Sequence, residues 1–184
     1  KYDYIYASRT VIKNKYYNRN VGGGFYGVDV WAEADKIVRP CLSRGMSAYY
    51  EIVGYLPNGG CIQKKYDYGC VPPKEGEPYT PEKHFKVRIY RVTYTNIDGK
   101  VFEFTPHQVQ QWCAQVGLIP VEECYCGMAK DLYPDLNPSE HWNENFINRL
   151  AGDPNFYMEQ DSPHCTNKVP HEGLVIKIDD GVTR

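Results

Sequence analysis

Two glutamates, each in or beside a short apolar run, are the side chains of this sequence that could carry chemistry. Glu172 opens the run Glu172–Lys177, which reads EGLVIK, and Glu51 lies inside the run Tyr49–Gly54, which reads YYEIVG. Both runs are rich in apolar and aromatic β-formers and predict buried strands. Because a carboxylate is costly to bury unless a cation or a metal ion meets it, the two segments together predict one shared polar cleft.

The strands that must position these glutamates include a hairpin in the middle of the chain. Residues 85–94 alternate almost perfectly between apolar residues (Phe, Val, Ile and Val) and polar or aromatic residues (Lys, Arg, Tyr and Arg), which predicts a half-buried strand. The turn residues 96–99 lead into residues 101–104 and complete the hairpin. An aromatic-rich run over residues 2–8 predicts another strand, which ends at Ser8-Arg9-Thr10.

Helices are predicted in three places between and after these strands. Apolar residues recur every three or four positions over residues 28–38, and Thr105-Pro106 opens a second helix that Gly117 closes. A third helix begins at Pro138 and runs to about Leu150. Residues 61–82 contain four prolines and predict a long surface loop.

Length and composition narrow the class of protein. A chain of 184 residues suits one domain with a sizeable core, and 17 tyrosines favour strands while also offering flat faces for stacking. The formal charge of −2 shows no overall excess of basic residues, so the net charge does not indicate a large nucleic-acid-binding surface. No apolar run approaches the ~20 residues of a membrane span.

The seven cysteines predict reduced thiols. Their number is odd, no CxxC pair occurs, and no signal-peptide pattern precedes them. Cys124 and Cys126 form a CxC pair, and His164-Cys165 follows later in the chain, but together they do not match a recognised zinc ligand set.

Four segments, taken in order, resemble the covalent nucleotidyltransferase superfamily of ATP-dependent ligases and capping enzymes, and most closely the phage-type RNA ligases. They are Ser8-Arg9-Thr10, Tyr50–Gly54, the strand around Tyr90, and EGLVIK, and they span nearly the whole chain. The resemblance implies an α+β fold of antiparallel β-sheets flanked by helices, the ATP-grasp-like nucleotidyltransferase domain of the DNA/RNA ligase type. Residues 1–184 would be a partial adenylyltransferase domain with a helical and loop insertion at about 105–170.

The implied activity is RNA ligation in three steps. A lysine attacks the α-phosphate of ATP to form lysyl-AMP, the AMP passes to a 5′-phosphate, and a 3′-hydroxyl displaces it to seal the strand. The implied cofactors are ATP and Mg²⁺ or Mn²⁺, and the implied partner is RNA with 5′-phosphate and 3′-hydroxyl ends. The resemblance further implies a monomeric RNA-repair enzyme, encoded by a phage or bacterium and acting in the host cytoplasm.

Three of the implied site residues would contact the sugar and phosphates. Arg9, with Ser8 in a Ser-Arg motif, would lie beside the nucleotide ribose and the incoming phosphate, where its planar fork can hold oxygens. Glu51 would accept hydrogen bonds from the ribose hydroxyls. We expect Arg9, Glu51 and Glu172 to converge as the catalytic set.

The other implied site residues would contact the base and the metal ion. Tyr90 resembles the aromatic residue that stacks on adenine, and Phe85 is the alternative for that role. Glu172 would help to hold a Mg²⁺ ion, and Lys177 would either contact the nucleotide or lie on the surface.

The sequence departs from the family pattern at the nucleophile. Lys1-Tyr2-Asp3-Tyr4 matches the KxDG motif without its glycine, and the eight residues from Lys1 to Arg9 are too few for the intervening hairpin. We therefore expect the nucleophilic lysine upstream of this sequence and the second lysine motif downstream of it, which would make the chain a fragment. Two alternatives stay open: a nucleotide- or RNA-binding relative without catalysis, and a DNA ligase or capping enzyme.

Overall fold

The structure is a computed structural model that describes residues 4–9, 12–13, 29–136, 140–154 and 160–177. The described residues form two compact units, one up to Val121 and one from Glu122 onward. Together they combine helices with antiparallel strands, so the α+β class predicted from the sequence is confirmed at that level.

The first unit is built on a three-stranded antiparallel sheet. Strands β3 (Met46–Gly54), β4 (Phe85–Thr95) and β5 (Val101–Glu103) pair in the order β3-β4-β5. The turn between β4 and β5 is closed by the Asn96 amide, which donates to the Lys100 carbonyl over 2.9 Å. The predicted hairpin and the predicted strand around Glu51 are therefore confirmed.

A second, smaller ladder lies near the N-terminal end. Strand β1 (Tyr6–Ala7) pairs in antiparallel fashion with β2 (Ile12–Lys13). The sequence predicted a longer strand over residues 2–8, of which residues 2 and 3 lie outside the described residues.

One irregularity interrupts the central pair of strands. Tyr49 pairs with Arg91 and Tyr50 pairs with Ile89. Across this stretch β4 therefore has one more residue than β3, and that extra residue is Tyr90. This is a β-bulge, which bends the strand and changes the direction of the side chains at that point.

Two helices cover one face of the sheet. Helix α1 (Val30–Val38) begins after Asp29, whose side chain accepts from the Ala32 amide over 3.2 Å, and a short 3₁₀ helix (Arg39–Cys41) follows it. Helix α2 (Pro106–Val116) begins with a capping box between Thr105 and Gln108. It ends at Gly117, whose φ of 75° supplies the left-handed cap.

The main core lies between these helices and the sheet. Its central side chain, Ile89, has no exposed surface. The core cluster is Ala34, Val38, Phe85, Val87, Ile89, Val92, Val109, Trp112, Cys113 and Leu118. Full burial stabilises each large apolar side chain by about 1.5–3 kcal/mol, so this packing fixes which face of each strand points inward.

The segment between β3 and β4, residues 55–84, contains neither helix nor strand, as the sequence predicted for 61–82. It is nevertheless anchored at its end. The ring of Tyr79 stacks on Phe85 with centroids 4.7 Å apart, and the buried His84 places Nδ1 2.9 Å from the Val71 carbonyl. The loop therefore continues the packed core at the start of β4.

The second unit is helical and irregular. Helices α3 (Ala129–Leu132) and α4 (Trp142–Ala151) flank the buried Tyr133, which packs on Phe146 and donates its hydroxyl to Asp153 over 2.6 Å. The predicted third helix is thus confirmed from Trp142 onward, while its predicted start at Pro138 lies outside the described residues.

The prediction of a buried strand over Glu172–Lys177 is wrong for the structure as described. Residues 171–177 form no strand, and Val175 and Ile176 are 85% and 50% exposed. An apolar run becomes a buried strand only where a neighbouring strand and a facing layer cover it. Within the described part of the second unit, only the isolated bridge between Asp161 and Pro170 shows β-pairing.

Across the described ranges, no helix has both the length and the apolar character needed to cross a membrane.

Candidate functional site

The side of the β3-β4-β5 sheet opposite α1 and α2 carries two of the predicted site residues of the first unit, Glu51 and Tyr90. Side chains alternate along a strand, and Tyr50 and Ile52 pack inward against the core, so Tyr49 and Glu51 point the other way. We call this side the outer face and define it by five residues of β3 and β4, namely Tyr49, Glu51, Arg88, Tyr90 and Arg91.

Glu51 lies on the outer face opposite Arg88. The two residues are direct partners in the antiparallel register, which brings their Cβ atoms to about 4.5–5.5 Å. The prediction that Glu51 is a buried carboxylate is wrong, because the side chain is exposed. Its apolar neighbours Tyr50 and Ile52 occupy the inward positions, which leaves the solvent side to Glu51.

Tyr90 lies at the bulge and is 37% exposed. Partial burial raises the pKa of its hydroxyl above the ordinary value, and the nearby Glu51 carboxylate raises this pKa further. The ring of Tyr49 lies 6.3 Å from that of Tyr90, tilted by 49°. The structure therefore brings together two of the predicted site residues, Glu51 and Tyr90, beside a second tyrosine.

Phe85, the alternative to Tyr90 as a stacking residue, is 1% exposed. Its ring is stacked on Tyr79 and belongs to the core cluster. Tyr90 is thus the one of the two that offers a ring face to a ligand.

Arg91 was not predicted as a site residue, although the structure places it beside Tyr90. Its guanidinium carbon lies 4.9 Å from the centroid of the Tyr49 ring, and Nη2 lies 2.7 Å from Glu103 Oε2 on β5. The sequence did contain a signal, because Ile89 and Val92 are three residues apart where strict alternation requires two. That spacing accommodates two consecutive polar side chains, Tyr90 and Arg91.

Ser8 and Arg9 follow strand β1, whose described contacts are with the helix-covered side of the sheet. The Tyr6 hydroxyl donates to Asp29 Oδ2 over 3.3 Å at the start of α1. Tyr6 also contributes to raising the pKa of the inward-facing Tyr50 to about 12, after burial and Asp35. Arg9 itself is exposed. Its convergence with Glu51 stays a prediction.

Glu172 and Lys177 belong to the second unit, and both side chains are exposed. Their convergence with the outer face also stays a prediction.

The described residues contain no group of three or more His, Cys, Asp or Glu side chains that could hold a metal ion. Mg²⁺ is commonly held by one or two carboxylates together with water and substrate phosphates, and the exposed carboxylate of Glu172 fits that kind of partial site.

All seven cysteines are free thiols, as predicted.

Comparison with known proteins gives no match to a protein-family model, a curated protein or a solved structure.

Proposed function

We propose that the chain is part of the adenylyltransferase domain of an ATP-dependent RNA ligase. The reaction is the formation of lysyl-AMP, transfer of AMP to a 5′-phosphate of RNA, and sealing to a 3′-hydroxyl. The fold proposed with it is the nucleotidyltransferase domain of the DNA/RNA ligase type.

The observation that carries this proposal is that Glu51 on β3 and Tyr90 at the bulge of β4 lie near each other on the outer face. An exposed aromatic ring is a platform for a base, and a neighbouring carboxylate accepts hydrogen bonds from vicinal hydroxyls. In a nucleotide the base and the ribose are directly joined, so one ligand can meet both side chains at once. After burial, the nearby Glu51 carboxylate is the next largest cause that raises the pKa of the Tyr90 hydroxyl.

The chain's own residues then act mainly by positioning. Stacking on Tyr90 and hydrogen bonding to Glu51 fix the nucleoside, which holds the α-phosphate in place for attack by a neutral lysine amine. Arg9 supplies positive charge to the phosphates. Glu172 would hold Mg²⁺, which neutralises phosphate charge as pyrophosphate leaves.

The test uses the complete gene product, including any residues that precede Lys1. It is incubated with ATP labelled in the adenosine moiety and Mg²⁺, and the protein is examined for an acid-labile covalent adenylate. We expect the adduct, and we expect its AMP to be transferred to 5′-phosphorylated RNA. Absence of the adduct contradicts the enzymatic proposal.

Two further outcomes of the same experiment distinguish the alternatives. Binding of ATP without an adduct favours a nucleotide-binding relative that lacks the chemistry. Sealing of nicked DNA in preference to RNA, or transfer to a diphosphate end, favours a DNA ligase or a capping enzyme.

A further inference from the structure

The bulge on β4 presents two consecutive side chains, Tyr90 and Arg91, near the same part of the outer face. In a regular strand these neighbours point to opposite faces. Here Tyr49 contacts both of them, since its ring lies 6.3 Å from the Tyr90 ring and 4.9 Å from the guanidinium carbon of Arg91. A bulge of this kind is a common device for directing side chains at a binding site.

Arg91 is held from two directions. Glu103 on β5 binds Nη2 over 2.7 Å, and the Tyr49 ring lies under the planar group. Both contacts restrict the orientation of the guanidinium, which reduces the entropy lost when it binds another group.

The Nε–H donor of Arg91 takes no part in these two contacts. Its Nε atom is buried and has no hydrogen-bond partner among the residues that the structure describes. A buried donor without a partner is unfavourable, and in native proteins nearly all such groups are satisfied by protein, water or a ligand. Nε itself is closed to solvent, but 35% of the Arg91 side chain is exposed, so the charged guanidinium can meet an anionic acceptor on the outer face.

We propose that Arg91 binds a phosphate oxygen of the nucleotide that occupies the outer face. This inference rests on the proposed function and adds a phosphate-contacting residue to it. Tyr90 takes the base and Glu51 takes the ribose hydroxyls, so the acceptor-rich group left for Arg91 is the phosphate. Glu51 cannot serve that group, because a carboxylate repels a phosphate.

The competing explanation is that Arg91 only ties β5 to β4 through Glu103. The two explanations differ in the ligand that is affected. A phosphate contact matters for ATP and does not matter for adenosine, whereas a structural tie affects both ligands equally through the position of Tyr49 and Tyr90.

The test compares the dissociation constants of ATP and adenosine, measured by isothermal titration calorimetry on the 184-residue chain. In Arg91→Gln we expect ATP binding to weaken about tenfold and adenosine binding to change less than twofold. Arg91→Lys keeps the charge and the apolar stem but lacks the planar guanidinium, so we expect an intermediate loss for ATP alone. The matched control is Arg39→Gln, which removes an exposed arginine paired with Asp35 beside α1. This control should leave both constants unchanged.

The outcomes separate the two proposals. Equal weakening of ATP and adenosine, or no weakening of either, overturns the role of Arg91 and leaves the outer face as a nucleoside site. If the unsubstituted chain binds neither ligand, the outer face is not a nucleotide site and the proposed function fails first. Circular dichroism of each variant verifies folding, and Arg91→Lys decides the question if Arg91→Gln does not fold.

Discussion

Glu51 and Tyr90 are coupled electrostatically across the β3–β4 pair. The negative charge of the carboxylate disfavours the phenolate and, after burial, is the next largest cause that raises the pKa of the Tyr90 hydroxyl. The coupling acts on the solvent side of the sheet, where neither group is needed for core packing. It therefore gives the outer face a measurable electrostatic property that does not depend on any ligand.

Replacing Glu51 with Gln should lower the pKa of Tyr90. Removal of the nearby negative charge makes the phenolate less unfavourable, while the contribution of burial is unchanged. The pKa can be followed by NMR titration of ¹³C-labelled tyrosine, with Tyr90→Phe used to assign the resonance. Glu75→Gln is the control, because Glu75 is an exposed carboxylate in the loop before β4 and is not among the causes of the Tyr90 shift. An unchanged pKa in Glu51→Gln would show that the two groups are not neighbours in solution.

Replacing Tyr90 with Ala should weaken ATP binding about tenfold, which corresponds to ~1.4 kcal/mol and falls in the range for stacking of one base on an aromatic ring. Tyr90→Phe keeps the ring and should bind ATP nearly as well as the unsubstituted chain. Tyr94 is a close control on the same strand, with 39% of its surface exposed against 37% for Tyr90. Its partner Met46 packs against the core, so Tyr94 lies away from the outer face. Comparable losses in Tyr94→Ala and Tyr90→Ala would contradict a specific stacking role.

The loop before β4 should contribute stability that depends on pH through Glu77. A hydrogen bond from Lys83, followed by one from the Lys74 amide, lowers the pKa of this carboxyl from 4.5 to about 2. Because the folded pKa lies below the unfolded one, the contribution is complete above pH ~4.5 and is lost as the pH falls towards 2. We expect Glu77→Gln to be less stable than the unsubstituted chain at pH 7, with the difference in free energy of unfolding vanishing near pH 2.

Denaturant unfolding at several pH values measures this difference directly. Glu75→Gln is the control, since Glu75 is an exposed carboxylate in the same loop. A difference that stays constant from pH 7 to pH 2 would mean that Glu77 stabilises the loop by some route other than its charge. Added salt should reduce the effect at pH 7, because the pair with Lys83 is accessible to screening.

Truncating Ile89 to Ala should destabilise the first unit by about 2–5 kcal/mol. The side chain is fully buried at the centre of the core, so its loss removes apolar burial and leaves a cavity between the sheet and the helices. Ile97, in the turn after β4, is 100% exposed and provides the same chemical change without burial. Ile97→Ala should alter the free energy of unfolding by less than about 0.5 kcal/mol. Thermal or denaturant unfolding of the two variants side by side checks the prediction.

Gly54→Ala should be more destabilising than Gly76→Ala. Both glycines have a positive φ, of 106° and 75°, so either alanine carries a backbone penalty of about 1–2 kcal/mol. At Gly54 an added Cβ would also lie 2.6 Å from the His84 carbonyl oxygen, whereas at Gly76 no atom lies within 4 Å. We expect this overlap to add about 1–3 kcal/mol, and equal stabilities of the two variants would contradict the close packing at the end of β3.

The elements that sequence reasoning predicted well are those specified by nearby residues. The hairpin of β4 and β5 follows from alternation and a turn, and α2 follows from the N-cap Thr105, the first-turn Pro106 and the closing Gly117. In each case the required partners lie within a few residues along the chain. The predicted run at Glu172–Lys177 differs, because whether an apolar run becomes a strand is decided by a partner distant in sequence.

The candidate site was predictable in part for the same reason. Glu51 and Tyr90 were selected by their residue types and order, but the exposure of Glu51 depends on which strand face the helices cover. The covered face of β3 is identified by the packing of Tyr50 and Ile52 against the core, which only the structure shows. Arg91 was missed because its role depends on one extra residue in the pairing of β3 with β4.

Tyr90 is an extra residue in the pairing of β4 with β3. If it were deleted, Ile89, Arg91 and Val92 would alternate inward, outward and inward, and every inward side chain of β4 could keep its place. The core therefore gains nothing from the additional residue, while the ladder of backbone hydrogen bonds is interrupted to accommodate it. The benefit that offsets this interruption therefore lies on the solvent side of the sheet, where the bulge exposes the Tyr90 ring.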